Sequence, residues 1–93
     1  MDERTVQSLR ATLAADRGAL RRVRNRLICA EGALLPALNE WQDEGEPVAR
    51  GHLRWVAGRR AKDVRRARRT LRGAIAAVRA SSEALSAAIA ECA

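Results

Sequence analysis

Residues 6–41 read VQSLRATLAADRGALRRVRNRLICAEGALLPALNEW. In this stretch Val6, Leu13, Leu20, Leu27, Leu34 and Trp41 recur every seven residues, and Leu9, Asp16, Val23, Ala30 and Ala37 follow the first five by three. That is an a/d heptad seam sustained over five repeats, the pattern by which one helix lies along another. Thr5 or Asp2 caps its start, and acidic Asp2 and Glu3 suit the positive end of a helix. Pro36 falls inside the pattern and predicts a kink rather than a stop.

The pattern breaks at Asp43-Glu44-Gly45-Glu46-Pro47. Gly45 suits the left-handed position after a helix, and Pro47 the first turn of the next one. Beyond it Leu53, Val56, Val64, Ala67, Leu71, Ile75, Val78, Leu85, Ile89 and Cys92 share one stripe at helical spacing. Gly51 and Gly58 weaken the first turns of this segment, which leaves a separate short helix before residue 59 as an alternative. The fold class is therefore all-α. Residues 1–93 form a single helical-hairpin domain, antiparallel and coiled-coil-like, with helix one at about 3–42, a hinge at 43–47 and helix two at about 48–92. Folding at residue 45 puts residues whose numbers sum to about 90 at equal height.

Composition agrees. Trp41 and Trp55 are the two aromatics, with no Phe or Tyr, so Leu, Val, Ile and twenty Ala must build the core. Such a set suits helices, and two Pro and six Gly are too few turn-formers for a β-sandwich or barrel. The charged start, Met1-Asp2-Glu3-Arg4, and the lack of a long uncharged run predict no leader and no membrane span. A cytoplasmic protein is expected, or one carried in a virion if its source is a phage. Seventeen of eighteen basic residues are Arg, Lys62 being the exception, which points to GC-rich coding: a high-GC bacterium, or a phage or mobile element living in one. The planar fork of Arg, which grips phosphate and carboxylate, is the compatible chemical reason. Cys29 and Cys92 would lie about 45 Å apart along the hairpin, so free thiols are expected.

The net charge of +7 is organised by the hairpin. Glu40, Asp43, Glu44 and Glu46 make an acidic tip. Arg17, Arg21, Arg22, Arg24 and Arg26 of helix one come level with Arg59, Arg60, Lys62, Arg65, Arg66, Arg68, Arg69 and Arg72 of helix two, a belt around the waist. The candidate polyanion-binding residues are Arg21, Arg22, Arg24, Arg26, Arg59, Lys62, Arg65, Arg66, Arg68, Arg69 and Arg72. Cations so crowded repel one another unless an anion neutralises them, and nucleic-acid phosphates or an acidic protein surface would do so. The plain alternative is a solvated Arg-rich face. Trp55 shares a ridge with Arg59, Lys62 and Arg66 and is expected to point outward, as an interface residue ahead of a base-stacking one.

At the open end, small residues surround both helices, so backbones of other chains can come close. Ala77, Ala80, Ala84 and Ala88 are candidate interface positions, as are Ile28, Leu35 and Leu38, which form a second apolar strip beside the seam. A two-helix hairpin leaves each helix covered on one side only, so assembly into a larger helical bundle is expected. Asp16 interrupts the seam about level with residue 74, within reach of Arg72 or Arg79. It reads either as a register-fixing polar pair or as an acid at a wet end.

Chemistry beyond binding has little to build on. His52 has no partner at ligand spacing, and the chain shows no phosphate loop, nucleophile elbow or zinc pattern. No enzymatic role, cofactor or metal is expected, and no motif is specific enough to name a family. The leading reading is a non-enzymatic oligomer that binds a DNA or RNA backbone through its arginine belt. The alternative is a structural subunit or adaptor, of a phage particle for example, whose belt meets acidic protein surfaces.

Overall fold

The computed structural model describes residues 2–92. Helix α1 spans Glu3–Asp43 and helix α2 spans Pro47–Cys92; no strand occurs among the described residues. The two pack side by side as an antiparallel hairpin whose Cα trace measures 69 × 13 × 13 Å. A 46-residue helix rises about 69 Å, so α2 runs the length of the molecule. It is unbroken through Gly51 and Gly58, and the alternative of a separate short helix before residue 59 falls. Packing along α1 outweighs the roughly 1 kcal/mol that each interior Gly costs.

Asp2 is the cap of α1. Its carboxylate accepts from the Thr5 N–H and the Thr5 hydroxyl, both at 2.9 Å, and these bonds hold its pKa below the ordinary value. The helix continues through Pro36. A proline there removes one N–H and crowds the carbonyl four residues back. That residue is Gly32, and both lie on the exposed side, where water can serve the freed carbonyl.

The hinge differs from expectation. No glycine among the described residues has positive φ, so Gly45 is not a left-handed cap. Glu44 ends α1 instead: its N–H donates to the Glu40 carbonyl at 3.2 Å while its backbone turns extended, φ −79° and ψ 126°. Pro47 opens α2. The Glu46 carboxylate accepts from the N–H groups of Val48 at 3.1 Å and Ala49 at 2.6 Å, capping the helix, and its pKa is lowered by these two bonds, Ala49 the larger. Arg50 ties the tip together, its guanidinium donating to the Glu44 carbonyl at 3.4 Å and lying 5.9 Å from the centre of the Trp41 ring.

Because Glu44 is extended, the chain travels beyond the end of α1 before it reverses. The equal-height sum is then about 94, centred on Pro47, rather than 90. Cross-helix pairs bracket this value: Asp16 bonds Ser81, Glu31 pairs with Arg68, and Arg26 shares a groove with Asp63 and Arg66. In this register Leu27, Leu20 and Leu13 come level with Ala67, Ala74 and Ser81, so large side chains of α1 meet small ones of α2.

All eleven heptad positions of α1 are buried or half-buried, with Leu13, Val23 and Ala37 the most covered. The matching seam of α2 is Ala57, Val64, Leu71, Val78 and Leu85, with Ala67, Ala74, Ser81 and Ala88 between them. Ile75, Ile89 and Cys92, placed on the stripe from the sequence, are exposed instead. Ala74 and Ala88 take the inward positions because they continue, with Ala67 and Ser81, one seven-residue series along the seam. Ala88, at 1% exposure, is the most buried of the core residues and is not an outward interface position.

Candidate functional site

The cations concentrate on one helix. Between Arg59 and Arg72, α2 carries eight basic residues and a single acid, Asp63, and all nine are exposed. Helical spacing sets Arg65 and Arg72, Lys62 and Arg69, and Arg59 and Arg66 in three parallel rows, the last bordering the groove against α1. Arg65, Arg68, Arg69 and Arg72 line one shallow concavity with Leu71. Trp55, Arg59, Lys62 and Arg66 line a second with Asp63.

Neutralisation is slight. Among the described residues two belt cations have a carboxylate within ion-pair distance: Arg60 with Asp63 at 3.9 Å and Arg68 with Glu31 at 3.8 Å. Both pairs are long and about half exposed, so each contributes little.

The belt cations of α1 are arranged differently. Arg21 and Arg22 point away from α2 and fold back along their own helix, their guanidinium nitrogens 3.9 and 3.5 Å from where a Cβ on Gly18 would stand. Arg24 lies on the Glu31–Arg68 flank of the seam, and Arg26 on the opposite flank beside Asp63 and Arg66. The corrected register brings residues 21–26 level with about 68–73, so the two runs overlap at Arg68, Arg69 and Arg72 only. The belt is a staggered ring, with its dense arc on α2.

Trp55 sits at the hinge-side end of that arc and is 60% exposed. A residue on a helix has four surface neighbours, three and four positions away on either side. For Trp55 two of them hold its ring: His52 stacks at 6.1 Å between centroids with planes 23° apart, and the Arg59 guanidinium lies 5.2 Å from the ring centre. The other two are Gly51 and Gly58, and a Cβ at either would meet nothing within 4 Å. Gly51, Arg54, Trp55, Gly58, Arg59, Lys62 and Arg65 line one open hollow. The placement of these glycines beside Trp55 in one hollow is missed by the sequence reading, which takes them as helix weakeners. The signal was their spacing of −4 and +3 from Trp55.

Of the other candidate positions, Ile28 and Leu35 are 66% and 62% exposed, and Leu38 is half-buried beside them. Ala77, Ala80 and Ala84 are exposed. Asp16 meets neither Arg72 nor Arg79: it is half-buried and accepts a hydrogen bond from the Ser81 hydroxyl, which lies seven positions past the expected height. Cys29 and Cys92 are on the surface, and no disulfide joins them. No helix is long and apolar enough to cross a membrane among the described residues.

No family model matches the chain, and neither the curated proteins nor the solved structures give a match.

Proposed function

We propose that this hairpin is a non-enzymatic nucleic-acid-binding protein that grips the phosphate backbone through the arginine arc of α2 and works as an oligomer. One observation carries the reading: eight exposed cations fall within fourteen residues, with one acid among them and two weak ion pairs. Such an arc repels itself, and a polyanion relieves the repulsion while releasing its own counterions. Nothing in the arc resembles an Asn or Gln placed for base-edge contacts, so recognition is of backbone rather than sequence.

The surface area supports association. The hairpin exposes 6850 Å², whereas a compact monomer of 10.2 kDa exposes about 5,300 Å². The excess is on the order of what one partner buries in a standard interface or more. A second reading, a structural subunit, is favoured by the acidic tip, where Glu40, Asp43 and Glu44 line a concavity with His52 and Leu53. The tip of one copy would then meet the arginine arc of the next.

Titrating an oligonucleotide at two salt concentrations separates them. The nucleic-acid reading expects binding at about 50 mM salt that weakens at least a hundredfold by 200 mM. An absence of binding at the lower salt leaves the structural reading.

A further inference from the structure

We propose that Trp55 is a stacking platform for an unpaired nucleobase, so that the ligand of the arginine arc is single-stranded nucleic acid rather than duplex. This rests on the nucleic-acid reading above and specifies its substrate class. Exposing a large indole costs free energy, and so does each glycine inside a helix. Here a Trp and two glycines occur together at neighbouring surface positions, and no turn, positive φ or close approach of another element requires the glycines. Both line the same open hollow as the indole.

The remaining neighbours match the ligand. His52 and Arg59 hold the ring in place by stacking and by cation–π contact. Arg54, Lys62 and Arg65 rim the same hollow, placing positive charge around a π-face. A nucleotide offers the complement, an aromatic base beside a phosphate. Lys62 and Arg69 continue the row from Trp55 along the outer face at seven-residue intervals, about 10 Å each, a track for the following phosphates. In a duplex the base faces are already stacked and paired, so only an unpaired base enters the hollow without added cost.

The test compares three probes at about 50 mM salt: a short oligothymidylate, an abasic strand of equal length, and a duplex. The expected result is oligothymidylate bound about tenfold to a hundredfold more tightly than the abasic strand and more tightly than the duplex, whose equal or tighter binding would overturn the single-stranded substrate class. In a Trp41→Phe protein, where Trp55 is the remaining tryptophan, oligothymidylate should quench the emission and the abasic strand should not. Trp55→Ala should erase the preference for bases and Trp55→Phe should keep most of it. Gly58→Leu fills the hollow with a better helix former, so it should erase the preference while the helical circular dichroism holds or rises. If both strands bind equally with no quenching, the stacking site is wrong and the arginine arc stands. If neither strand binds, the arc itself fails and the proposal with it. If Trp55→Ala shifts the oligomeric state and leaves base preference unchanged, Trp55 is a protein contact and the proposal is overturned.

Discussion

The Ser81 hydroxyl of α2 donates to the Asp16 carboxylate of α1, joining the helices across 65 residues of sequence. The same hydroxyl lies 2.9 Å from the Ala77 carbonyl of its own helix, so its one proton is shared between two acceptors. Asp16 stands in a seam otherwise apolar, and a polar seam residue pays in stability for a fixed register. Removing the donor alone, Ser81→Ala, leaves a half-buried carboxylate without its partner and should cost about 1–2 kcal/mol. Replacing both, Asp16→Leu with Ser81→Ala, should be neutral or stabilising. Urea denaturation followed at 222 nm measures both, and a single variant as stable as the double would remove the pairing from the account.

The arc on α2 and the Arg pair on the back of α1 are separable. Arg65→Glu with Arg69→Glu reverses two charges in the densest patch and should weaken nucleic-acid binding at least a hundredfold at about 50 mM salt, with helical content unchanged. Arg21→Glu with Arg22→Glu removes the same formal charge from the far side of the rod and should cost less, through the general field alone. Equal losses would mean that net charge, and not the arc, governs binding.

Both helix caps titrate in one direction. Asp2 and Glu46 have ordinary pKa values of 3.8 and 4.5, and the hydrogen bonds they accept in the folded chain lower both. A carboxyl whose folded pKa lies below its unfolded one stabilises the fold above the unfolded value, and the contribution is lost as pH falls through the folded value. Stability should therefore decline below about pH 4.5, and the Asp2→Ala, Glu46→Ala double variant should show a shallower decline. Thermal melts between neutral pH and pH 3 test this; parallel pH profiles for the two proteins would show that the caps do not couple to folding.

Exposed glycines that serve no hollow should be improvable. Gly73 lies on the outer face of α2 with nothing within 4 Å of a Cβ, so Gly73→Ala should add up to about 1 kcal/mol, raising Tm by roughly 4–8 °C. Gly45 has no positive φ, and Gly45→Ala should be tolerated there, which a left-handed cap would forbid. A marked loss of stability at Gly45 would contradict the extended hinge.

The legible and illegible parts of this fold have physical reasons. Helix α1 is readable because Leu, Val and Trp recur in one heptad frame over five repeats, longer than the neighbouring strip of Ile28, Leu35 and Leu38. In α2 large residues mislead: Ile75 and Ile89 stand next to Ala74 and Ala88, and reading by hydrophobic size picks the isoleucines while the seven-residue series of the seam picks the alanines. Height along the hairpin is misjudged because a three-residue hinge need not turn at once, and here Glu44 carries the chain outward first. That one extended residue moves the partner of Asp16 and turns an aligned arginine belt into a staggered one. The exposed, outward position of Trp55 follows from helical spacing; the emptiness beside it does not, since a glycine in a sequence says nothing of what surrounds it.

Ile28 and Leu35, one heptad apart on α1, leave a bare apolar edge beside the half-buried Leu38. Burying two such side chains in a partner yields about 3–6 kcal/mol per hairpin before association costs, and exposed Ile75 and Ile89 on α2 offer more of the same surface. The chain should therefore scatter light as a dimer or larger at tens of micromolar, with its dissociation driven by dilution. Ile28→Lys with Leu35→Lys should give a monomer of lower thermal stability whose melting temperature no longer depends on concentration. Because the strip is level with Arg59 to Arg66 but on the other helix, this variant should keep salt-sensitive binding to short oligonucleotides. A wild-type monomer across that range would remove assembly from the proposed function and leave the arginine arc to act on a single hairpin.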